Sequence, residues 1–286
     1  MDLTESYFDT GEVRLHVMEG PHNGPPLVFL HGATSNWKGW QPMLPLLIPH
    51  WHVFMPDLRG HGLSGRSPNG VPGYHISTFV RDAVALLRGL VVEPAVLFAH
   101  SWGALTSLLT AGSMDCAALN CLRAVVAEDP PVGVYRNPPE MAPYMDYFTW
   151  ALETKQTANT YEAILAALCQ MTAARAEPVP ESDLPDWAEN LLHLDSDFLR
   201  MIINGSEPVG GIDFEHAFEN IGCPLLLLQA DPAKGGALLD PDLALLQAQV
   251  PTALQVYFPG VGHGIHTEQP QEVAKVFERF IEELGI

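Results

Sequence analysis

Residues 95–111 place the strongest structural constraint on this sequence. An unbroken apolar run, AVLFA, occupies 95–99, and the helical pattern ALTSLLTA occupies 104–111. An apolar run without alternation is typical of a strand that is covered on both faces in a parallel sheet. Between them, Ser101 is flanked by the small residues Ala99 and Gly103, as a tight turn packed against a strand and a helix requires. The stretch therefore predicts a strand, a sharp turn with a serine at its apex, and a helix.

The rest of the chain repeats this alternation of strand and helix. Apolar runs that predict strands are LVFLHG (27–32), HVFMPD (52–57), LRAVVAED (122–129), CPLLLLQAD (223–231) and ALQVYF (253–258). Helical patterns occur at 76–91, where Ser77 is a candidate cap, at 240–250 and at 270–284. Residues 4–19 alternate like a hairpin. Together these patterns predict an α/β fold with a mostly parallel, doubly wound sheet.

The segment 132–217 interrupts this rhythm. It contains helix-like patterns separated by proline-rich linkers such as EPVPESDLP, and no apolar run of the buried-strand kind. We expect a helical cap at 132–217, inserted into a core domain that is formed by 1–131 and 218–286. A chain of 286 residues is long enough for one large domain with such an insertion.

Charge and segment composition limit the possible partners. The formal net charge is −20, which disfavours nucleic acid and anionic membranes as partners. The amino terminus lacks the pattern of a signal peptide, and no apolar run reaches transmembrane length. The four cysteines follow no metal-binding or redox spacing, so we expect them to be reduced. We therefore expect a cytoplasmic protein, either a monomer or a homodimer.

The serine at the turn directs the search for chemistry. A serine hydroxyl becomes a nucleophile when a base accepts its proton, an acid orients that base and N–H donors receive the oxyanion. His263 lies in a glycine-rich loop after the final predicted strand, and Asp231 directly follows an apolar strand. Glu128 and Asp129 follow the strand before that one. No ligand spacing indicates a metal site.

Five motifs in order carry a family resemblance. They are the turn AHSWG (99–103), HGAT (31–34), DLRGHGLSG (57–65), Asp231 after its strand, and GVGHGIHTEQP (260–270). The chain resembles the α/β-hydrolase superfamily over essentially its whole length. It looks like the capped, cofactor-free group of carboxylesterases, lactonases, carbon–carbon bond hydrolases, epoxide hydrolases and dehalogenases. The last two use an aspartate nucleophile, so Ser101 argues against them, and Ala99 replaces a glycine of the family pattern.

The resemblance implies a role for each candidate residue. The family order of serine, acid and histidine implies Ser101 as nucleophile, Asp231 as acid and His263 as base. Some members take their acid from the preceding strand, so Glu128 or Asp129 is the alternative. The oxyanion would bind the backbone N–H groups of Ala33 and Trp102. For the ring of His31 we favour a structural role in holding its loop. No cofactor is implied.

The predicted cap and nearby loops supply candidates for substrate binding. These residues are Trp37, Tyr144, Tyr147, Phe148, Trp150 and His266, with the indole of Trp102 nearby. They favour hydrolysis of a small-molecule ester or lactone with an apolar or aromatic group. Three alternatives stay open. Ser-Trp-Gly also occurs in proline iminopeptidases, which indicates an amidase or aminopeptidase; the others are a carbon–carbon bond hydrolase and a hydrolase-like ligand receptor.

Overall fold

A mostly parallel sheet forms the centre of the protein. The computed structural model describes residues 2–91, 93–113, 120–136, 142–173, 179–204 and 209–286, with only the backbone at 135, 136 and 142–144. The strands in this part of the chain are β1 (Thr4–Asp9), β2 (Arg14–Glu19), β3 (Pro26–Leu30), β4 (His52–Pro56), β5 (Ala95–His100), β6 (Leu122–Glu128), β7 (Leu225–Ala230) and β8 (Leu254–Phe258). They lie in the order β1-β2-β4-β3-β5-β6-β7-β8, and all pairs are parallel except β1–β2 and β2–β4. The predicted fold class is confirmed.

Helices cover both faces of this sheet, and five of those in the described part of the chain lie between β6 and β7. They are α1 (Leu44–Leu47), α2 (Ile76–Leu86), α3 (Trp102–Ala111), α4 (Val132–Arg136), α5 (Ala142–Thr157), α6 (Tyr161–Ala173), α7 (Leu184–His193), α8 (Ser196–Ile203), α9 (Asp240–Gln249), α10 (Ile265–Glu268) and α11 (Pro270–Leu284). The α2 helix continues as a π-helical turn to Val91. Its cap is His75, whose ring accepts a hydrogen bond from the N–H of Ser77, so the expectation that Ser77 caps this helix is wrong.

Strand β5 shows why both faces of the sheet are covered. Side chains alternate along a strand, so Leu97 belongs to the apolar cluster on one face and Phe98 to the cluster on the other. The second cluster includes Phe277 of α11, whose ring centroid lies 5.5 Å from that of Phe98. Two buried faces explain the uninterrupted apolar run in this part of the sequence.

Helix α8 and the residue before it, Asp195, connect the segment between β6 and β7 to the helices and loops that cover the sheet. The hydroxyl of Tyr74 donates to Oδ2 of Asp195 at 2.6 Å, and the N–H of Asp195 donates to the carbonyl of Gly60 at 2.7 Å. Phe198 on α8 packs edge-on against Phe79 and Trp102. These contacts join the helical segment to the layer of helices beneath it.

The described cysteines are in two different states. Cys169 and Cys223 are free thiols, whereas Cys121 is disulfide-bonded, so the expectation that every cysteine is reduced is wrong. Cys116 lies outside the described residues.

Within the part of the chain that the structure covers, no helix is both long enough and apolar enough to cross a membrane.

Candidate active site

The turn between β5 and α3 holds Ser101 in a strained backbone conformation. Its φ is 53° and its ψ is −119°, in the left-handed half of conformational space that non-glycine residues seldom adopt. The N–H of Ser101 donates to the carbonyl of Glu128 on the neighbouring strand at 2.9 Å, which fixes the turn to the sheet. The serine therefore projects from the carboxyl end of β5.

Gly103 explains the small residue on the helical side of the turn. A Cβ at this position would lie 2.4 Å from the carbonyl oxygen of Leu30 and 2.6 Å from that of His31. Both contacts are with backbone atoms, which a side-chain rotation does not relieve. Helix α3 thus begins against the end of β3, and only a glycine fits between them.

His263 joins Ser101 to a buried carboxylate. Its Nε2 lies 2.8 Å from Oγ of Ser101, and its Nδ1 lies 2.6 Å from Oδ2 of Asp129. Since a carboxylate only accepts, Nδ1 carries the proton that is donated to Asp129, and the lone pair of Nε2 faces the serine hydroxyl. Asp129 is fully buried, while 31% of the His263 side chain is exposed. Serine, base and acid are thus arranged for proton transfer away from Ser101.

Backbone donors surround the carboxylate of Asp129. The N–H groups of Ala230 and Leu238 donate to Oδ1 at 3.2 and 3.0 Å, and that of Ala237 donates to Oδ2 at 2.7 Å. With the donation from His263, four N–H groups converge on a carboxylate that is removed from water. These four hydrogen bonds fix the direction of the carboxylate.

Asp231 does not contact His263, so the expectation that it orients the imidazole is corrected here. Its Oδ1 accepts from the N–H of Ala233 at 2.9 Å and its Oδ2 from the N–H of Gly260 at 2.8 Å. These two backbone hydrogen bonds, Gly260 first, hold the pKa of Asp231 below its usual value. The side chain caps a turn and links it to the end of β8. Of the two carboxylates kept as alternatives, Asp129 occupies the position of the acid.

The loop after β3 runs beside the serine and carries Ala33. A Cβ at Gly32 would lie 3.1 Å from the Cβ of Ser101, so this loop passes directly alongside the turn. The His31 ring holds the loop: Nδ1 donates to the Gly32 carbonyl at 2.8 Å, and Nε2 accepts from the N–H of Leu58 at 2.9 Å. Trp102 is the first residue of α3, so its N–H lies at the positive end of the helix dipole.

A cavity of about 980 Å³ opens over His263. Most of its wall is apolar, and its aromatic residues come from the segment between β6 and β7. The lining residues are Val134, Asp146, Tyr147, Phe148, Trp150, Met171, Trp187, Pro232, Lys234, Gly235, Gly236, Leu239 and His263. A space of this size and character accommodates an organic molecule of drug size.

Three of the predicted substrate-binding aromatics line this cavity, namely Tyr147, Phe148 and Trp150. Trp37 and His266 are not among its lining residues: Trp37 packs against the apolar cluster of α11, and His266 is buried. The side chain of Tyr144 lies outside the described residues. The indole of Trp102 is fully buried against Phe79 and Phe198, so it contributes to the core rather than to the cavity.

One cluster near the serine has the residue types of a metal site. Ligand atoms of His100, Glu128 and His266 lie within 4.8 Å of one another. Nδ1 of His266 lies 2.8 Å from Oε1 of Glu128, and Nε2 of His100 lies 2.9 Å from the carbonyl oxygen of His263. These contacts already engage one nitrogen of each ring, so a metal bound through those nitrogens would have to displace them.

Comparison with known proteins identifies the family. The sequence model described as the alpha/beta hydrolase family matches residues 27–276. The chain belongs to this family. The hydrolase is 26% identical to 2-(acetamidomethylene)succinate hydrolase of Mesorhizobium japonicum, in an alignment of 294 positions that covers 98% of each chain. A crystal structure of E-2-(acetamidomethylene)succinate hydrolase superposes with a TM-score of 0.74, at 23% identity, and covers 98% of this chain and 100% of that one.

Other relatives of the hydrolase match over part of their length. Epoxide hydrolase A of Mycobacterium tuberculosis is 36% identical over 141 residues, which is 47% of this chain and 44% of that protein. The chain spans about a third to a half of the length of this relative and of two others. The fold of the hydrolase is thus shared with proteins that act on several kinds of bond.

The sequence did not single out several residues of the site. His100 lies within the turn motif itself, one position before the serine, but nothing in the motif indicates its contact with His263. Trp187 lies in the helical pattern DWAENLLHL, where an aromatic residue on a predicted cap helix was the available signal. Lys234 follows Asp231 in a short turn, and its position at the cavity depends on how β7 and β8 pair.

Proposed function

We propose that this protein is a serine hydrolase that cleaves a carboxylic ester or lactone of a neutral, apolar or aromatic small molecule. The observation that carries the proposal is the line of contacts from Ser101 through His263 to Asp129, at 2.8 and 2.6 Å, beneath an aromatic cavity. A serine bound to a correctly oriented imidazole is the arrangement that acyl transfer requires.

The first half of the reaction forms an acyl-enzyme. Oγ of Ser101 attacks the carbonyl carbon while Nε2 of His263 takes the hydroxyl proton, and the imidazolium that results is stabilised by Asp129. The carbonyl oxygen becomes an oxyanion that accepts hydrogen bonds from the N–H groups of Ala33 and Trp102. When the carbon–oxygen bond breaks, His263 returns the proton to the departing alcohol. In the second half, His263 takes a proton from water, the hydroxide attacks the acyl carbon, and Ser101 leaves with that proton restored.

The wall of the cavity supports the substrate class. Tyr147, Phe148 and Trp150 on α5, together with Trp187 on α7, form the aromatic part of the cavity wall, and His263 lines the same cavity. Tyr147 and Trp150 are stacked, with ring centroids 6.1 Å apart and planes 26° apart. Flat apolar groups pack favourably on such a surface. The net charge of −20 adds a long-range field that disfavours strongly anionic substrates.

The test is hydrolysis of p-nitrophenyl butyrate, phenyl acetate and an aryl-substituted lactone by the wild type and by Ser101→Ala. We expect Ser101→Ala to lower kcat by about 10⁶-fold. The matched control is Ser107→Ala, because Ser107 lies on the same helix and its hydroxyl donates to the carbonyl of Ala104. Turnover by Ser101→Ala at the wild-type rate would contradict the proposal. A single equivalent of product without further turnover would favour the receptor alternative.

A second candidate is hydrolysis of an N-acylated compound that bears a carboxylate. Two observations favour it: the whole-length likeness to 2-(acetamidomethylene)succinate hydrolase, and Lys234, a cation in the wall of the cavity. The same triad would cleave the amide bond of such a compound through an acyl-enzyme. Adding N-acetyl amides with and without a carboxylate to the substrate panel separates the two candidates. A higher kcat/KM for the carboxylated amide than for every ester would replace the first proposal with the second.

A further inference from the structure

Two consecutive residues at the end of β6 each bind a histidine of the same loop. Asp129 binds Nδ1 of His263 at 2.6 Å, and Glu128 binds Nδ1 of His266 at 2.8 Å. The two histidines are three residues apart on the connection between β8 and α11, a loop that carries His263 and the short helix α10 that carries His266. The structure therefore holds two acid–histidine pairs side by side. The proposed reaction uses the pair of Asp129 and His263.

The second pair is almost completely buried. The side chain of Glu128 is fully buried and that of His266 is 6% exposed. Oε1 of Glu128 accepts from both the backbone N–H and Nδ1 of His266, at 3.1 and 2.8 Å. Oε2 of Glu128 has no hydrogen-bond partner among the residues that the structure describes. Burial of a polar side chain is unfavourable unless a partner offsets the lost hydration, and His266 is that partner for Glu128.

Trp40 closes the other side of His266. The indole and imidazole rings are stacked, with centroids 4.4 Å apart and planes 28° apart. The indole covers one face of the imidazole, and the Glu128 side chain binds its edge through Nδ1. The ring of His266 is thus fixed in position and direction by two different contacts, at the first turn of α10.

His100 connects this buried pair to the reacting groups. Its ring lies 4.9 Å from that of His266, centroid to centroid, and 4.7 Å from that of His263. Its Nε2 lies 2.9 Å from the carbonyl oxygen of His263, and since a carbonyl only accepts, Nε2 carries the proton. Burial and the neighbouring His263 imidazole hold the pKa of His100 well below its usual value, which keeps the ring neutral. The side chain of His100 therefore binds the backbone of His263 and packs against the ring of His266.

We propose that Glu128 is a positioning residue, which acts through His266 and His100 to hold the loop of His263 at hydrogen-bonding distance from Ser101. The backbone of Glu128 accepts from the N–H of Ser101 while its carboxylate binds the histidine loop. One residue thus fixes the nucleophile and the loop of the base relative to each other. The inference rests on the proposed function, because it defines the role of Glu128 by the proton transfer from Ser101 to His263.

Glu128→Gln is the decisive variant, because glutamine keeps the length of the side chain but buries an amide NH₂ group where Oε2 has no partner among the described residues, which displaces the side chain and the loop that it binds. A misplaced reacting group lowers rates by about 10²-fold per ångström, so we expect kcat for p-nitrophenyl butyrate to fall by about tenfold to a hundredfold with little change in KM. The exposed Glu272, which pairs with Lys275 on α11, supplies the matched control Glu272→Gln, expected to behave as the wild type.

His266 variants extend the test. Asparagine places an N–H close to the position of Nδ1, so His266→Asn should retain most of kcat. Leucine cannot donate to Glu128, so His266→Leu should lower kcat as Glu128→Gln does. If His266→Leu does not fold, because it leaves a buried charge unpaired, Glu128→Gln and His266→Asn still decide the matter.

Two readouts separate positioning from a structural role. The first is the rate at which a fluorophosphonate labels Ser101, which requires an activated serine but no particular substrate. The second is the proton resonance of Nδ1–H in ¹⁵N-histidine-labelled protein, which reports the contact of His263 with Asp129 without turnover. We expect Glu128→Gln to slow labelling and to shift this resonance, while the unfolding temperature changes little.

Unchanged labelling and an unchanged His263 resonance in Glu128→Gln would overturn the inference. So would a loss of kcat that matches the loss of folded protein while the resonance stays in place. Absence of labelling and of ester turnover in the wild type would instead reject the proposed function. The resonance of His263 would still show whether Glu128 positions the ring.

Discussion

Nδ1 of His263 lies 2.6 Å from Oδ2 of Asp129, although 134 residues separate them in the chain. The chain runs from Asp129 through the whole helical segment, β7, α9 and β8 before it returns to this point. The contact explains why the two carboxylates at strand ends have different roles. Asp129 accepts from the imidazole and from three backbone N–H groups, while Asp231 accepts from the N–H groups of Ala233 and Gly260.

Exchanging each carboxylate for its amide tests this difference. Asp129→Asn removes the carboxylate charge and can present an NH₂ donor to Nδ1 of His263. Both changes disfavour the imidazolium and the tautomer of His263 that the reaction requires. We expect kcat to fall by about 10⁴-fold, the size of effect seen when the acid of such a triad is replaced. Asp231→Asn should leave kcat close to that of the wild type. Steady-state kinetics with p-nitrophenyl butyrate measure both, and a larger loss in Asp231→Asn would restore the original assignment.

Gly103 offers a test of how the turn is packed. In Gly103→Ala the new Cβ would meet the carbonyl oxygens of Leu30 and His31 at 2.4 and 2.6 Å, so α3 must move away from β3. Overpacking of this kind costs about 1–3 kcal/mol in the free energy of unfolding. Gly222→Ala is the control, since a Cβ there meets no atom within 4 Å. Urea denaturation compares the two variants, and equal stability would show that the turn relaxes freely.

Tyr147 connects two helices of the cavity wall with the loop beside the serine. Nε1–H of Trp187 donates to its hydroxyl at 2.6 Å, and that hydroxyl lies 3.4 Å from Oγ1 of Thr34. Tyr147→Phe removes both contacts but keeps the ring, so we expect kcat/KM to fall by an amount equivalent to about 1 kcal/mol, which is roughly fivefold. Tyr161→Phe, on the neighbouring helix α6, is the control. An unchanged kcat/KM in Tyr147→Phe would show that the contacts serve neither substrate binding nor the loop.

His61 makes the stability of the protein depend on pH. Burial, aided by the neighbouring His31, lowers the pKa of His61 from 6.5 to about 3. Between these values the unfolded chain binds more protons than the folded chain, so the free energy of unfolding falls as the pH drops, by at most about 1.4 kcal/mol per pH unit for this residue. This contribution to stability is complete above pH 6.5.

The measurement is urea denaturation of the wild type and His61→Asn at about pH 7 and about pH 4.5. Asparagine retains an N–H that can replace the donation from Nδ1 of His61 to the carbonyl of Arg59. We expect the wild type to lose more stability on acidification than the variant does. An equal loss in the two proteins would mean that His61 is protonated in the folded state as readily as in the unfolded chain.

The sheet could be predicted from the sequence because its strands are buried on both faces. The run at Leu225–Ala230 is fully buried in the structure, and its five apolar residues alone indicate a central strand. Helix α11 was equally clear, since it begins at Pro270 and ends before Gly285, whose φ is 68°. Local patterns decide elements of this kind, so they require no knowledge of distant contacts.

The choice of acid could not be made in this way. Asp129 and Asp231 both follow apolar strands that pair with each other in parallel, so they lie at the same edge of the sheet. Which one reaches His263 depends on how the backbone leaves each strand. Asp129 has a φ of 47°, whereas Asp231 continues in an extended conformation with a φ of −74° and caps the next turn. The burial of His266 likewise depends on Trp40 and Glu128, which are remote in sequence.

The position of the helical segment in the chain has a consequence for the evolution of specificity. Ser101 and Asp129 precede this segment and His263 follows it, so the three residues of the proposed triad are encoded outside the stretch that supplies the aromatic wall. Recombination with breakpoints just after Pro130 and just before Pro224 would exchange that wall in one event and leave the reacting atoms in place. A chimaeric hydrolase of this design would inherit its selectivity from one parent and its chemistry from the other.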